Sequence, residues 1–228
     1  MRAELLPDTL TPLTPGEVAR AFHAAFYTIV GVPPTHRTLS ILLAQSALES
    51  GRWKSLHCLN FTNIKASETY EGYYCLYRCN EIINGRVEWF DPPHPQCRFR
   101  AYQSIHDAAL DYLRFLHDRK RYQASWAQAI AGDPVAFVAA LKAAGFFTAN
   151  EGPYRKAVLS LTNEYAPQIA AWLADVPDPP EQPGELTDDT LHALAVRAVG
   201  QQFDPLDLDA DGFADHDTDP APPPESAA

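Results

Sequence analysis

The chain has 228 residues, of which 46% are hydrophobic and 11% aromatic, enough to bury one sizeable core. Its formal net charge of −11 argues against a nucleic-acid-binding protein, because such proteins carry a basic footprint. No apolar run approaches the roughly 20 residues that a membrane-spanning helix needs. The N-terminal segment has neither a basic start nor an apolar centre, so we expect synthesis without a secretory leader.

Composition divides the chain into four segments. Residues 1–175 have the pattern of one globular domain. Residues 176–186 are rich in proline, which cannot continue a helix, and therefore predict an extended linker. Residues 187–219 predict a short helix followed by an aspartate-rich loop, and residues 220–228 predict a disordered tail.

Helical signals dominate the first domain. Thr14 and Glu17 form a capping-box pattern that predicts a helix through Tyr27. Residues 38–50 place a mostly apolar stripe at helical spacing, and Gly51 predicts the end of that helix.

The same spacing returns later in the domain. Residues 105–116 predict another amphipathic helix. Asp133 is the predicted N-cap of a helix that ends near Gly145. A last long helix begins near Tyr154 and is expected to break near Pro167.

One segment departs from the helical pattern. Residues 73–87 are rich in aromatic and β-branched residues, and Asn84-Gly85 is a strong hairpin signal. The fold class predicted is therefore α+β and mainly α, a helical body with a small β-hairpin lobe and a groove between the two. Such a groove suits a polymeric substrate.

Glu49 is the candidate proton donor, because it ends an unusually apolar helix. Desolvation beside the core and the negative end of the helix dipole are both expected to raise the pKa of its carboxyl group. A carboxyl group that keeps its proton near neutral pH can protonate the leaving oxygen of a glycosidic bond. The alternative is an ordinary surface glutamate near a helix end.

The segments around Glu49 resemble a known family. Residues 44–51 (AQSALESG) and 60–66 (NFTNIKA) resemble the glucosaminidase branch of the lysozyme-like superfamily, which is glycoside hydrolase family 73. This family includes the flagellar and autolysin-type peptidoglycan hydrolases. The resemblance spans roughly residues 38–165 and continues through three later segments, residues 99–105, residues 145–148 and Tyr154.

The resemblance implies roles for particular residues. Glu49 corresponds to the catalytic acid, and Glu81, a few residues before the Asn-Gly turn, corresponds to a second carboxylate that activates water or stabilises charge on the sugar. The alternative for Glu81 is a solvated hairpin residue. The candidate substrate-binding residues are Trp53, Asn60, Phe61, Asn63, Tyr102, Phe146 and Tyr154. For the aromatic residues the alternative is packing in the core or lobe, and for the two asparagines it is holding a loop.

One segment departs from the family pattern. Family members commonly carry Gly-Tyr-Ala-Thr-Asp, whereas residues 145–149 here are GFFTA and lack both the tyrosine and the aspartate. Tyr102, Tyr122 or Tyr154 are the candidates to supply the missing hydroxyl. The departure keeps two alternatives open, a lytic transglycosylase that uses Glu49 alone and an inactive module that binds the wall or assists assembly.

Four cysteines, Cys58, Cys75, Cys79 and Cys97, lie within one short window. Their spacing lacks the Cys-x2-Cys pair of common structural zinc sites. We expect crosslinks that staple the small lobe, with a structural four-sulfur Zn2+ site, joined by His57 or His94, as the alternative.

The aspartate-rich loop resembles an EF-hand calcium loop, with oxygen ligands at alternate positions and Gly212 at the sixth. Thr218 occupies the twelfth position, where a bidentate glutamate is usual. A disordered acidic tail is the alternative. The predicted structural Ca2+ ligands, unrelated to catalysis, are Asp207, Asp209, Asp211, Phe213, Asp215, Asp217 and Asp219.

The function expected is cleavage of the β-1,4 glycan backbone of peptidoglycan, as an endo-β-N-acetylglucosaminidase that needs no cofactor for catalysis. The expected partner is the glycan strand, with neither nucleic acid nor a membrane span involved. A bacterial or phage protein without a leader would act in the periplasm or wall after delivery. A phage tail, an injection system, an export apparatus or a phage holin would provide that delivery.

Overall fold

The computed structural model describes residues 3–83, 86–147 and 149–176. Helices form most of the described chain, as the sequence predicts. In chain order they are α1 (Pro15–Val30), α2 (His36–Glu49), α3 (Ile105–His117), α4 (Gln123–Ile130), α5 (Pro134–Ala143), α6 (Glu151–Tyr165) and α7 (Ile169–Trp172). Short 3-10 turns occupy Pro95–Cys97, Lys120–Tyr122 and Ala166–Gln168.

Two small sheets complete the fold, and together with the loops that connect them (residues 57–104) they are called the β lobe. Strand β2 (Tyr73–Leu76) lies between β1 (Glu4–Leu5), to which it is parallel, and β5 (Arg98–Ala101), to which it is antiparallel. Strands β3 (Cys79–Ile83) and β4 (Arg86–Phe90) form a separate antiparallel pair. The predicted turn Asn84-Gly85 lies outside the described residues, but the two strands beside it pair as a hairpin would. The mainly helical α+β class is confirmed.

Local capping explains where several helices begin. The Thr14 hydroxyl accepts from the Glu17 amide at 3.3 Å, and the Glu17 carboxylate accepts from the Thr14 amide at 2.8 Å. This reciprocal pair is the predicted capping box. Asp133 caps α5 by accepting from two backbone amides, at 2.9 and 3.0 Å. The predicted break near Pro167 is the 3-10 turn between α6 and α7.

Helix α2 runs through the centre of the helical body. Every residue from 38 to 47 is buried, and α2 contacts α1, α4, α6 and α7. A helix with apolar neighbours on most sides supplies a rigid support, because protein cores are close-packed. Its C-terminal end, where Glu49 lies, is therefore fixed by the body of the protein.

Within the described residues, no helix is long and apolar enough to span a membrane. From residue 177 onwards, the rest of the predicted linker, the C-terminal helix, the acidic loop and the tail lie outside the described residues. The domain boundaries stay predictions.

Candidate active site

Glu49 is the last residue of α2, and its side chain is half-buried. The helix is capped by Ser50, whose hydroxyl donates to the Ser46 carbonyl oxygen at 2.7 Å. Residues 51–53 follow with φ values of 57°, 56° and 59°, a left-handed turn directly after the helix. The Trp53 ring nitrogen donates to the Ser46 hydroxyl at 3.0 Å. The turn thereby fixes the helix end that carries the acid.

A hydrogen-bonded chain of side chains surrounds the Glu49 carboxyl group. The Tyr154 hydroxyl donates to Glu49 Oε1 at 2.7 Å, and Gln45 Nε2 donates to the same oxygen at 3.4 Å. Gln45 Oε1 in turn accepts from the Tyr112 hydroxyl at 2.6 Å. Three helices, α2, α3 and α6, thus hold the orientation of one carboxyl group.

Tyr112 and Tyr154, the two tyrosines of this hydrogen-bonded network, keep their protons. Burial raises the pKa of both Tyr112 and Tyr154 well above the ordinary value, and the negative charge of Glu49 raises it further. Both hydroxyls are therefore hydrogen-bond donors across the working pH range. Tyr154 donates directly to the Glu49 carboxyl group, whereas Tyr112 acts through Gln45, so the surroundings of the acid are less uniformly apolar than the sequence suggests.

Helix α6 contacts the acid and also the turn behind it. Besides Tyr154, it carries Glu164, which accepts from both terminal nitrogens of Arg52, at 2.5 and 2.8 Å. Hydrogen bonding between them raises the pKa of Arg52 and lowers that of Glu164. The same helix therefore fixes the Glu49 carboxyl group and the chain that follows it.

Tyr154 supplies a hydroxyl close to Glu49 although the GFFTA segment lacks one. Its ring stacks on Phe147, with centroids 3.9 Å apart and 11° between the planes. The other two candidates lie elsewhere. Tyr122 is buried in the helical core, and the Tyr102 hydroxyl donates to Asp111 at 2.5 Å.

Asn63 and Asn60 both hold loop backbone. Asn63 has a left-handed φ of 53°; its amide nitrogen donates to the Glu49 carbonyl oxygen at 3.2 Å, and its amide oxygen accepts from the Tyr77 hydroxyl at 3.0 Å. It therefore links the acid-bearing helix to β-lobe residues. Asn60 is buried and exchanges hydrogen bonds with the backbone of Ile64 and Arg100. Asn63 is the one of the two that lies at the acid.

Three of the aromatic candidates for sugar binding are buried. Trp53 is fully buried, Phe61 packs edge-on against Phe22, and Phe146 packs against Phe115 in the helical core. Each of these rings has lost nearly all its accessible surface to the core, which corresponds to the packing alternative.

Glu81 lies on β3, opposite Glu88 on β4. Its carboxylate forms an ion pair with Lys65 at 2.9 Å, and its side chain is only 10% exposed. The Lys65 ammonium also donates to the Gln96 carbonyl oxygen and lies 4.2 Å above the centre of the Phe99 ring. Glu81 is therefore held by a cation of the lobe, rather than solvated at the hairpin surface.

The four cysteines, all of them free thiols, form two pairs. The sulfur atoms of Cys58 and Cys75 lie within 4.8 Å of each other, and the Cys79 sulfur lies 3.2 Å from the carbonyl oxygen of Gln96, the residue before Cys97. Among the residues that the structure describes, the group able to hold a metal ion is Asp8 with Cys58 and Cys75, whose ligand atoms lie within 4.8 Å of one another. All seven predicted calcium ligands lie outside the described residues.

Sequence reasoning missed Gln45, Tyr112 and Lys65 as parts of the site. Gln45 could have been found, because it lies four residues before Glu49 and so on the same helix face. Tyr112 lies within the amphipathic helix predicted for residues 105–116, and only tertiary packing brings its hydroxyl to Gln45. The pairing of Lys65 with Glu81 has no signal in the spacing of the two residues.

The chain is similar in sequence to a known peptidoglycan hydrolase. The chain is 32% identical over 127 residues to the peptidoglycan hydrolase FlgJ of Vibrio parahaemolyticus, an alignment covering 52% of this chain and 37% of that protein. The chain therefore matches little more than a third of that relative's length.

Two solved structures are also similar. One is a C-terminally truncated glycoside hydrolase domain of Salmonella typhimurium FlgJ, at 24% identity and a TM-score of 0.45, covering 64% of this chain and 91% of that one. The other is a peptidoglycan hydrolase mutant from Sphingomonas sp. A1, at 27% identity and a TM-score of 0.46, covering 70% and 92%.

A family model matches residues 35–170, which include α2, strands β2 to β5 and α6. The match covers more than half of the 228 residues and confirms the resemblance seen around Glu49. The chain belongs to the glucosaminidase family of glycoside hydrolases, whose model is described as mannosyl-glycoprotein endo-β-N-acetylglucosaminidase.

Proposed function

We propose that this chain cleaves the β-1,4 glycan backbone of peptidoglycan as an endo-β-N-acetylglucosaminidase, with Glu49 as the general acid. Family membership supports the reaction class, and the peptidoglycan hydrolase of Vibrio parahaemolyticus supports the substrate. The observation that carries the proposal is the half-buried Glu49 carboxyl group, oriented by Tyr154 and Gln45 at the end of a buried helix.

The geometry fits proton donation. In the reaction, Glu49 gives its proton to the glycosidic oxygen, the bond from that oxygen to the sugar carbon breaks, and positive charge develops on the sugar. The carboxyl group becomes a carboxylate in the same step. Hydrogen bonds to charged acceptors are stronger than those to neutral ones, so the bond from Tyr154 strengthens as the proton leaves.

Glu81 is the proposed second carboxylate, which would activate water or stabilise the positive sugar. The ion pair with Lys65 holds the Glu81 carboxylate within the lobe. Glu81 can therefore act on the substrate only when the bound glycan lies against the lobe. That same ion pair favours a second candidate, a lytic transglycosylase in which Glu49 acts alone and the sugar's own hydroxyl attacks. The ion pair between Lys65 and Glu81 is the observation that supports this second candidate.

Product analysis distinguishes the two reactions. Purified peptidoglycan is digested, reduced with borohydride and analysed by mass spectrometry. A glucosaminidase leaves reducing N-acetylglucosamine ends, which become the corresponding alditol. Anhydromuramyl ends would instead identify a transglycosylase, and reduced N-acetylmuramic acid ends would show that the other glycosidic bond is cut.

The role of Glu49 is tested by Glu49→Gln, which keeps the shape of the side chain but removes its proton. We expect the rate of wall clearing to fall by roughly 10²- to 10⁴-fold, the usual contribution of a general acid. Glu68→Gln, on an exposed loop, is the matched control and should clear at the wild-type rate. Equal thermal unfolding of the variants excludes misfolding, and undiminished clearing by Glu49→Gln refutes the assignment.

A further inference from the structure

The β lobe contains two thiol pairs that the proposed reaction does not use. Cys58 follows the left-handed turn after α2, and Cys75 lies in the middle of β2. Cys79 begins β3, and Cys97 ends the 3-10 turn that leads into β5. Each pair therefore joins two elements that are separate along the chain.

In the first pair, both thiols are buried and their sulfur atoms lie within 4.8 Å of each other. The hydrogen bond from Cys75 is the largest cause that lowers the pKa of Cys58, to about 7, while the pKa of Cys75 is raised. A thiolate beside a thiol is the arrangement from which disulfide exchange starts, because the thiolate is the nucleophile.

In the second pair, Cys79 is half-buried beside Lys65 and Gln96. Its sulfur is 3.2 Å from the carbonyl oxygen of Gln96, the neighbour of Cys97 in the chain, and, besides burial, the Cys97 thiol is among the causes that raise the pKa of Cys79. Burial raises the pKa of Cys79 to about 11, and the Lys65 ammonium, 3.6 Å from the sulfur, opposes that rise.

We propose that Cys58–Cys75 and Cys79–Cys97 are two disulfide-forming pairs, oxidised by exchange with a small-molecule or protein disulfide. For each pair, two S–H bonds are replaced by one S–S bond, and two protons and two electrons leave. The electrons reduce the disulfide of the oxidant to two thiols, which take up the protons. The reaction is therefore balanced with the oxidant as the only co-reactant.

The two bonds would have different structural effects. The Cys58–Cys75 bond ties the loop that leads to Asn63, and so to Glu49, to the three-stranded sheet. The Cys79–Cys97 bond ties the first strand of the hairpin to the entry of β5. Since Glu81 lies two residues after Cys79, the second bond fixes the strand that carries it.

The competing occupant of the first pair is a zinc ion bound by Asp8, Cys58 and Cys75. Two contacts favour the crosslink. The Asp8 carboxylate is already engaged by His57 Nδ1 at 2.7 Å. At the second pair, Lys65 places a positive charge 3.6 Å from the sulfur of Cys79, where a metal cation would be repelled.

Mass mapping of the whole, natively folded chain tests the pairing directly. The protein is divided between a reducing buffer with EDTA and an oxidised-glutathione buffer, alkylated, and digested with trypsin without reduction. Trypsin cleaves after Lys54, Lys65, Arg78, Arg86 and Arg98, so each cysteine falls in its own peptide. We expect oxidation to link peptide 55–65 to 66–78, and peptide 79–86 to 87–98, with a mass loss of about 4 hydrogens per chain.

Three results would overturn the proposal. These are a link between the pairs, four alkylated thiols after oxidation, or one equivalent of zinc that blocks oxidation until EDTA is added. In Cys79→Ser the link between 55–65 and 66–78 should persist while Cys97 stays alkylated, and a new link to Cys97 would contradict the pairing. Hydrogen exchange of peptide 79–86 in the wild type should be at least several-fold slower after oxidation, and unchanged exchange refutes the effect on the hairpin.

Discussion

The helical body and the β lobe are held together by different forces. The body has one large apolar cluster, which includes nearly all of α2. The buried apolar cluster of the lobe consists of Cys58, Cys75, Phe99 and Ala101. In the lobe, cations above aromatic rings and ion pairs supplement this small core: Lys65 over Phe99, Arg98 over Tyr74, Arg100 over Tyr70, Arg78 over Trp89, and Lys65 with Glu81.

This difference matters for the two candidate catalytic carboxyl groups. Glu49 is attached to the close-packed body, whereas Glu81 is attached to a lobe whose contacts are charged and partly exposed. Apolar packing resists changes of salt, whereas the exposed charged contacts of the lobe, such as the ion pair between Arg78 and Asp91, are screened by salt. We therefore expect the position of Glu49 to be insensitive to solution conditions that alter the position of Glu81.

The largest expected effect is in the body. Leu42→Ala removes a fully buried side chain from α2 and should lower the free energy of unfolding by roughly 3–5 kcal/mol, through lost burial and a residual cavity. Val87→Ala, on the exposed strand of the hairpin, should change it by less than about 0.5 kcal/mol. Denaturant unfolding measures both, and similar losses in the two variants would contradict the comparison.

A smaller effect is expected in the lobe. Lys65→Met leaves the Glu81 carboxylate without its ion-pair partner and should lower the free energy of unfolding by about 3 kcal/mol. Because the cause is local, hydrogen exchange should rise in strands β3 and β4 but not in α2. Lys54→Met, at an exposed position after α2, is the control and should leave exchange unchanged in both regions. Faster exchange throughout α2 would show that lobe and body are not separable.

Loss of the Tyr154 hydroxyl, which donates to Glu49, has the smallest expected effect. Tyr154→Phe keeps the ring stacked on Phe147 but removes the hydrogen bond to Glu49, so kcat for glycan cleavage should fall by roughly 10- to 100-fold. The control is Tyr165→Phe on the same helix, whose buried hydroxyl has no hydrogen-bond partner. Equal activities of the two variants would remove Tyr154 from the proposed mechanism.

The sequence predicts the parts of this molecule that depend on local signals. The capping box at Thr14, the N-cap at Asp133 and the break near Pro167 all occur where short-range rules place them. The position of Glu49 at a helix end is equally local, and the family resemblance around it is confirmed by the family match.

What the sequence does not predict depends on contacts between distant segments. Tyr154 is one of three tyrosines that the sequence offers for the missing hydroxyl, but it reaches Glu49 across 105 positions of the chain, and no spacing rule selects it from the three. Trp53 and Phe146 show the complementary difficulty. In a sequence, an aromatic residue that stacks on a sugar cannot be distinguished from one that fills the core. The burial of these two rings is visible only in the folded chain.

The left-handed turn after α2 has a consequence for the geometry of catalysis. Arg52 and Trp53 occupy a backbone conformation that costs non-glycine residues roughly 1–2 kcal/mol each, and burial of the indole ring and pairing with Glu164 offset that cost. Since Glu164 and Tyr154 belong to the same helix, a shift of α6 along its axis would change the acid's hydrogen bond and the strained turn together. The proton donor and the group that orients it are thus constrained as one mechanical unit, so loosening either one disturbs the other.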